Sequence, residues 1–275
     1  MKEYLNNKFD PSKMVSVFDE LPLWSAPFGL KLLDAIDYKL NMTVLDIGFG
    51  SGFPLTELAM RLGNSSVVYG IDPKKEAVGR AKEKIDCYGI TNIKIIEGAA
   101  ESIPLGDDSV DLITSNNGIN NVADIDKTLS ECWRILKPGG QFVLTMNLDQ
   151  SMFEFYGQME AVLEEMGMVQ EIEKMYDHIA HKRPSIDKMK VLLKKQDFII
   201  KDLEYDQFNY RFATGTVMLN YYFIRLVFMD SWKAILPEDK VDEVFNGIET
   251  RLNEYAQKHC GMKLSIPFVL INVTK

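Results

Sequence analysis

A short loop combines an acid with three glycines, residue types that can bind a charged ligand. Residues 46–52 read Asp-Ile-Gly-Phe-Gly-Ser-Gly and follow an apolar run. Glycine allows positive φ angles and leaves the backbone open to a ligand, because it has no Cβ. The carboxylate of Asp46 suits a cationic group. The spacing of Gly48, Gly50 and Gly52 differs from the G-x-G-x-x-G of dinucleotide-binding loops, although a tight turn for helix packing would also use glycines.

A second acid stands where a nucleoside could bind. Asp72 ends the next apolar run, about twenty residues after Gly52, a placement suited to accepting hydrogen bonds from ribose hydroxyls. Such an acid serves dinucleotides and other nucleoside cofactors alike, so it does not separate them. Loop, Asp46 and Asp72 together favour a cofactor site over a tight turn.

A parallel sheet must position these residues. From Thr43 to Thr145, short β-branched runs alternate with helical periodicity, which is typical of strand-helix-strand units. In such a sheet the ligand binds at the carboxyl ends of the strands, and the glycine loop follows the first strand. The predicted strands are Val44–Ile47, Val67–Asp72, Ile93–Ile96, Val110–Ser115 and Gln141–Met146.

Helices and turns are predicted between these strands. One apolar stripe runs over Leu55, Leu58, Ala59 and Leu62, a second over Ala77, Ala81, Ile85 and Tyr88, and a third over Ile125, Leu129, Cys132, Trp133 and Leu136. Lys137–Gly140 is predicted to be a turn, since its proline and glycines favour one.

Helical patterns dominate the rest of the chain. They reach to about Gln196, and a predicted strand, Phe198–Tyr205, separates them from further helix and from a terminal strand at Phe268–Val273. We predict an α/β fold: a Rossmann-like, seven-stranded, mostly parallel sheet with helices on both faces and a C-terminal helical cap inserted between the last strands. The predicted domains are a helical lid (1–42), a cofactor-binding core (43–148) and the cap with the last two strands (149–275).

Four segments within about Thr43 to Thr145 carry a family resemblance. The chain resembles class I S-adenosylmethionine-dependent methyltransferases and is similar to the group that makes ubiquinone and menaquinone. The segments are Val44–Gly52, Gly70–Pro73, Gly98–Asp111 and Trp133–Gly140.

The resemblance implies a cofactor, S-adenosylmethionine, whose product is S-adenosylhomocysteine. The backbone from Gly48 to Gly52 would hold its methionine part, Asp72 its ribose hydroxyls, and Pro73 would lie against the adenine. The family often has an acid at the position of Ala99, which alanine cannot supply. Ala100 could offer its N–H to the adenine, and Glu101 could replace the missing acid.

The resemblance also assigns residues near the reacting methyl group. Asn116 and Asn117 would border the sulfonium and the acceptor, and Trp24 is a candidate lid contact over the cofactor. Relatives often carry histidines where Asn120 and Asn121 stand. Asparagines tolerate left-handed backbone conformations, so those two could equally shape the loop.

The acceptor and its activation are less defined. Methyl transfer is an in-line displacement that depends on alignment, and an acceptor with a high pKa would need a base. His178 and His181, three apart on a predicted helix, are candidates, although a solvated helix face explains them too. Aromatic residues between Tyr205 and Trp232 could line a pocket for an apolar or planar metabolite, or pack in the core.

Composition narrows the partners. The net charge of -9, from 40 acidic and 31 basic residues, argues against nucleic acid. No apolar run is long enough to span a membrane, and the first residues lack an apolar signal segment. Cys87, Cys132 and Cys260 suggest neither a disulfide framework nor a zinc site. We expect a cytoplasmic protein with a small-molecule substrate and no metal; the pattern predicts no particular oligomeric state.

Two other functions agree with parts of the pattern. A protein that binds the cofactor without transferring the methyl group is suggested by Ala99 and by the lack of an obvious base. A nicotinamide-dependent oxidoreductase would share Asp72, but the glycine spacing disfavours it.

Overall fold

The computed structural model describes residues 2–6 and 23–275 of the chain. The strands in these residues are β1 (Thr43–Ile47), β2 (Val67–Asp72), β3 (Ile93–Glu97), β4 (Val110–Asn116), β5 (Leu136–Asn147), β6 (Ile199–Phe212) and β7 (Met262–Thr274).

The helices of the same residues fall between these strands. They are α1 (Ser25–Asp34), α2 (Leu55–Leu62), α3 (Lys75–Tyr88), α4 (Ile125–Ile135), α5 (Phe153–Glu165), α6 (Val169–Lys182), α7 (Ile186–Lys195), α8 (Gly215–Asn220), α9 (Tyr222–Val227), α10 (Met229–Lys233) and α11 (Val241–Lys258). Short 3-10 turns cover Glu3–Leu5, Ile119–Asn121 and Glu238–Lys240.

The strands form one sheet in the order β3-β2-β1-β4-β5-β7-β6. β1 pairs in parallel with β2 and β4, and β4 pairs in parallel with β5. β7 pairs with β5 in antiparallel register, from Gln141 opposite Thr274 to Asn147 opposite Phe268. From β1 the chain adds β2 and β3 on one side of the sheet, and it then adds β4 and β5 on the other side. Because parallel strands are joined by right-handed crossovers, α2 and α3 lie on one face of the sheet and α4 on the other. The predicted seven-stranded fold class is confirmed.

The helix next to the glycine loop forms for local reasons. Leu55, Leu58, Ala59 and Leu62 follow helical spacing, and all four are buried in the core against β1 and β2. Gly63 ends α2 with a φ of 68°, which a residue with a Cβ rarely adopts. These apolar contacts hold the first turn of α2 behind the loop.

Three boundaries differ from the predictions. β5 begins at Leu136, so the predicted turn over Lys137–Gly140 is wrong: it is an irregular start of the strand, with a register shift against β4. β6 (Ile199–Phe212) and β7 (Met262–Thr274) extend beyond the predicted Phe198–Tyr205 and Phe268–Val273 through residues that include polar types. Tyr88 was placed on the buried stripe of α3 but is exposed, while Val78 is buried.

The chain divides into two compact units. The sheet unit comprises Val15–Asn147, Pro184–Asp206 and Phe268–Lys275, and the helical unit comprises Met1–Met14, Leu148–Arg183 and Gln207–Pro267. In the helical unit the Trp232 ring, fully buried, stacks on Phe155 with centroids 3.7 Å apart. The domain bounds given above remain a prediction, and residues 7–22 of the predicted lid lie outside the described residues.

Candidate active site

Two loops of the sheet unit meet where β1 and β4 end. A Cβ on Gly48, whose φ is 72°, would lie 3.1 Å from the Cα of Gly118. A Cβ on Gly118 would lie 2.5 Å from the carbonyl oxygen of Ile47. The Ser115 hydroxyl donates to the same carbonyl at 3.2 Å. Glycine is therefore required on both sides of this close approach.

The middle of the glycine loop is open. Gly50 has a φ of 55°, and nothing lies within 4 Å of the position its Cβ would take. Gly52 has a φ of 114° and accepts a hydrogen bond from the Thr56 backbone N–H at 2.8 Å, which joins the loop to α2. The loop thus offers bare backbone to a ligand, as its composition predicts.

Asp46 carries a buried and incompletely bonded carboxylate at the end of β1. The side chain is 0% exposed, and the Thr114 hydroxyl donates to its Oδ1 at 2.7 Å. Its Oδ2 has no hydrogen-bond partner among the described residues. Burial raises the pKa of Asp46 to about 7, and the charge of Asp72 adds to the rise, while the Thr114 hydrogen bond opposes it. A positive group beside Oδ2 would satisfy this carboxylate.

Asp72 joins the end of β2 to the glycine loop. Its Oδ2 accepts the Gly50 N–H at 3.0 Å, and its Oδ1 accepts the Lys74 N–H at 2.9 Å. A carboxylate has about four acceptor positions, so two are left for a ligand's hydroxyl groups. One side chain can therefore shape the loop and bind a ligand.

The segments after β2 and β3 contain both exposed and buried residues. Pro73 and Ala99 are exposed, and Ala100 is buried. Glu101 Oε1 accepts the N–H groups of Ala123 and Asp124 at 2.7 and 3.1 Å. Glu101 therefore supports the turn before α4, and only its other oxygen is left to bind a ligand.

The asparagines after β4 bind one another and the surrounding chain. The Asn116 amide donates to the Ser25 carbonyl at 3.1 Å and accepts from the Thr145 hydroxyl at 3.1 Å. Asn117 has a φ of 54°, and its side-chain oxygen accepts from the Asn147 N–H and from the Asn120 amide. These contacts hold the loop beside the ends of β4 and β5.

Asn120 fits both interpretations of the asparagine run, a loop-shaping role and a ligand contact. Its amide nitrogen is used twice, donating at 2.8 Å to Asn117 and at 2.8 Å to Asn147. Its oxygen is buried with no partner among the described residues. The side chain therefore supports the loop and also holds one unsatisfied acceptor.

Trp24 lies directly before α1. Its ring meets Phe28 edge-on at 5.5 Å, and Phe28 in turn meets Phe268 at 4.8 Å. A Cβ on Gly29 would collide with the Phe53 ring at 2.2 Å. The start of α1 is thus packed against the glycine loop and, through Ser25, against Asn116.

The two histidine candidates lie on α6, in the helical unit. His178 is half-buried and His181 is exposed. Burial lowers the pKa of His178, and the charges of Arg183, Lys182 and His181 lower it further. His178 is therefore neutral at pH 7 and able to accept a proton.

Sequence reasoning missed Thr114, Gly118 and Thr145. Each acts through a contact between neighbouring strands: Thr114 with Asp46, Gly118 with Ile47 and Thr145 with Asn116. The glycine inside the asparagine run was the available signal, because β1 and β4 were both predicted to end at the same edge. The part of the chain that the structure describes contains no group of His, Cys, Asp and Glu side chains that could hold a metal ion. None of its helices meets the length and hydropathy needed to cross a membrane.

Comparisons with known proteins agree with this geometry. A family model described as a methyltransferase domain matches residues 39–207. The chain is 28% identical over 226 residues to the ubiquinone/menaquinone biosynthesis C-methyltransferase UbiE of Rickettsia bellii, a match that covers 77% of this chain and 86% of that protein.

Solved structures share the fold. The YcgJ protein of Bacillus subtilis superimposes with a TM-score of 0.58 at 21% identity and covers 90% of this chain and 97% of its own. A SAM-dependent methyltransferase of Aquifex aeolicus gives a TM-score of 0.53 at 24% identity, over 71% of this chain and 92% of its own.

Proposed function

The chain belongs to the methyltransferase domain family and is an S-adenosylmethionine-dependent enzyme, and from that premise we propose that it methylates a small apolar or aromatic metabolite. The match to a quinone-biosynthesis methyltransferase along 86% of that relative's length supports this acceptor class. The observation that carries the cofactor site is the buried, unpartnered Asp46 Oδ2 beside an open glycine loop.

The residues of the loop fit the methionine part of the cofactor. In our proposal Asp46 faces its ammonium group, which would satisfy Oδ2 and stabilise the charged carboxylate. The backbone of Gly48, Gly50 and Gly52 lies beside the same part, where any side chain would take up the space. A buried acid beside bare glycine backbone suits a ligand that carries a positive charge and approaches the backbone closely, and few other ligands need both.

The nucleoside part is assigned to the ends of β2 and β3. Asp72 binds the ribose hydroxyls with its two remaining acceptor positions, and Pro73 lies against the adenine. Ala100 donates its N–H to the adenine ring, and Ala99 leaves the exocyclic amine without an acid. Glu101 can accept from that amine only with the oxygen that the turn before α4 does not use.

The protein's contribution to the reaction is alignment. When bound, the cofactor supplies an electrophilic methyl group on a sulfonium, which an acceptor attacks opposite the sulfur. We propose that Asn116, Asn117 and Trp24 border this position and hold the cofactor in one orientation. Alignment of this kind can lower a barrier by roughly 7–11 kcal/mol.

A base is needed only for an acceptor that is protonated at neutral pH. His178 is the better of the two histidine candidates, because its lowered pKa keeps it neutral. His178→Gln would then reduce the turnover of a phenolic acceptor more at pH 7 than at pH 9, where the acceptor ionises without help.

Calorimetric titration with S-adenosylhomocysteine tests the cofactor site. Asp72→Ala removes the ribose acceptor and should weaken binding at least about tenfold, since hydrogen bonds to a charged group contribute about 1.5–3 kcal/mol. Asp86→Ala, on the exposed face of α3, is the matched control and should bind normally. Equal affinities of the two variants would refute the ribose assignment.

The acceptor class needs its own experiment. The enzyme would be incubated with methyl-labelled S-adenosylmethionine and a panel of aromatic phenols, hydroquinones, small amines and polar hydroxy acids. We expect label to enter the aromatic members. Transfer to the amines or hydroxy acids alone would contradict the proposed acceptor while leaving the cofactor site intact.

A further inference from the structure

Arg183 is a buried arginine without an anionic partner. It follows α6 in the helical unit, and only 4% of its surface is exposed. Its Nη1 atom is buried and has no hydrogen-bond partner, and no ion pair joins it to an acid within the described residues. An unpaired charge in such a place is unfavourable, because the group has lost its hydration. The folded protein has therefore kept a cationic group that a ligand could neutralise.

Tyr156 on α5 offers a second unused donor at the same place. The Arg183 guanidinium carbon lies 5.3 Å from the centroid of the Tyr156 ring. Tyr156 is 5% exposed, and its hydroxyl oxygen accepts the Trp232 indole N–H at 3.0 Å. That bond uses a lone pair and leaves the hydroxyl proton, for which the described residues provide no acceptor. Two neighbouring buried side chains thus each have a donor to spare.

Aromatic rings pack around Tyr156. Trp232 stacks on Phe155, with ring centroids 3.7 Å apart, and meets Tyr156 nearly at a right angle. Phe228 is also stacked against Trp232, with ring centroids 5.7 Å apart. Since Trp232 fixes the Tyr156 hydroxyl by its hydrogen bond, the donor direction is set before any ligand arrives.

The local charge is positive although the chain as a whole is acidic. Lys182 and His181 precede Arg183, and both act on His178 as positive charges. On the same helix, Glu171 is paired with Lys174 at 3.3 Å, and Asp177 is exposed to solvent. An anion at Arg183 would therefore be attracted by its neighbours as well.

We propose that Arg183 and Tyr156 form a binding site for an organic carboxylate attached to an apolar or aromatic body. The planar guanidinium matches the two oxygens of a carboxylate, and the Tyr156 hydroxyl adds one donor. A phosphate dianion would need more donors than this pair supplies. The site belongs to the helical unit and stands independently of the proposed methyl acceptor.

Calorimetry with benzoate as the probe tests the site. Benzoate should bind the full-length protein, and benzamide, which has the same shape without the charge, should bind at least about tenfold more weakly. Inorganic phosphate should not compete. No benzoate binding, equal binding of benzamide, or tighter binding of phosphate than of benzoate would each overturn the proposal.

Variants locate the binding. Arg183→Met keeps the length of the side chain and should abolish benzoate binding, and Tyr156→Phe should weaken it about tenfold. Arg251→Met is the matched control, because Arg251 also lies in the helical unit but is paired with Glu165. Benzoate binding unchanged in Tyr156→Phe, or lost in Arg251→Met, would contradict the assignment even if Arg183→Met failed to fold.

A thermal readout separates this role from a structural one. Benzoate should raise the melting temperature of the wild-type protein and of Arg251→Met but not that of Arg183→Met. S-adenosylhomocysteine should still bind Arg183→Met, so failure of the carboxylate site and failure of the cofactor site can be distinguished.

Discussion

At Asp46 a single buried carboxyl group couples stability to pH. Its pKa is about 7 in the folded protein, against an ordinary value of 3.8. Between these values the unfolded chain has released a proton that the folded protein keeps, so the free energy of unfolding falls as pH rises. The contribution is present below about pH 4 and is lost once the pH has passed about 7. A shift of this size corresponds to about 4 kcal/mol at most.

Asp46→Asn should remove this dependence, because the amide is neutral and can still accept from Thr114. Urea unfolding at pH 5 and pH 8 would measure it: the wild-type protein should lose more stability between the two than the variant does. The difference between the two proteins is the relevant quantity, since other carboxylates titrate in both. Parallel pH curves would show that Asp46 is not perturbed.

Local sequence predicted where the candidate cofactor residues lie better than it predicted their hydrogen-bond partners. Asp46 and Asp72 follow from strand ends and glycine spacing, which are local in sequence. The roles of Thr114 and Thr145 depend on which strands are neighbours, and Arg183 depends on the absence of a partner, which no local pattern records. Glu101 looked free to bind adenine, yet one of its oxygens is used by the turn before α4.

At the scale of elements, the meeting of the β1 and β4 loops should be sensitive to one methyl group. Gly118→Ala would place a Cβ 2.5 Å from the Ile47 carbonyl oxygen, and the loops would have to separate. We expect a loss of about 1–3 kcal/mol, the usual cost of overpacking, together with weaker S-adenosylhomocysteine binding.

Gly79→Ala in α3 is the control for that substitution. Nothing lies within 4 Å of the added Cβ, and alanine favours a helix interior by about 0.5–1 kcal/mol over glycine. Urea denaturation should therefore move in opposite directions for the two variants. A stabilised Gly118→Ala would mean that the loops do not approach as closely as described.

Elements with strong periodicity were predicted almost to the residue, as α2 and β2 show. The predicted strand boundaries were wrong where polar residues, proline or glycine lie within a strand. Lys137–Gly140 has the composition of a turn but lies within β5 as an irregular stretch, where the pairing with β4 jumps from Leu136 to Gln141. β7 likewise begins at Met262, ahead of the apolar run from Phe268 that marked it in the sequence.

At the scale of the whole molecule, the charge balance predicts its behaviour towards polyanions. With a net charge of -9, the protein should be repelled by a duplex. Fluorescence anisotropy with labelled DNA and RNA at about 50 mM salt should show no binding up to micromolar protein.

The pairing of β7 with β5 also has a consequence during synthesis. β5 ends at Asn147, but the strand that covers its outer edge pairs only from Phe268 onward. While the ribosome makes the intervening elements, the outer edge of β5 keeps unpaired backbone groups, the kind of edge that invites aggregation. We therefore expect the protein to need chaperones in the cell chiefly during the time between the synthesis of β5 and that of β7. The completed chain, refolding from denaturant, has both strands available at once and should depend less on such help.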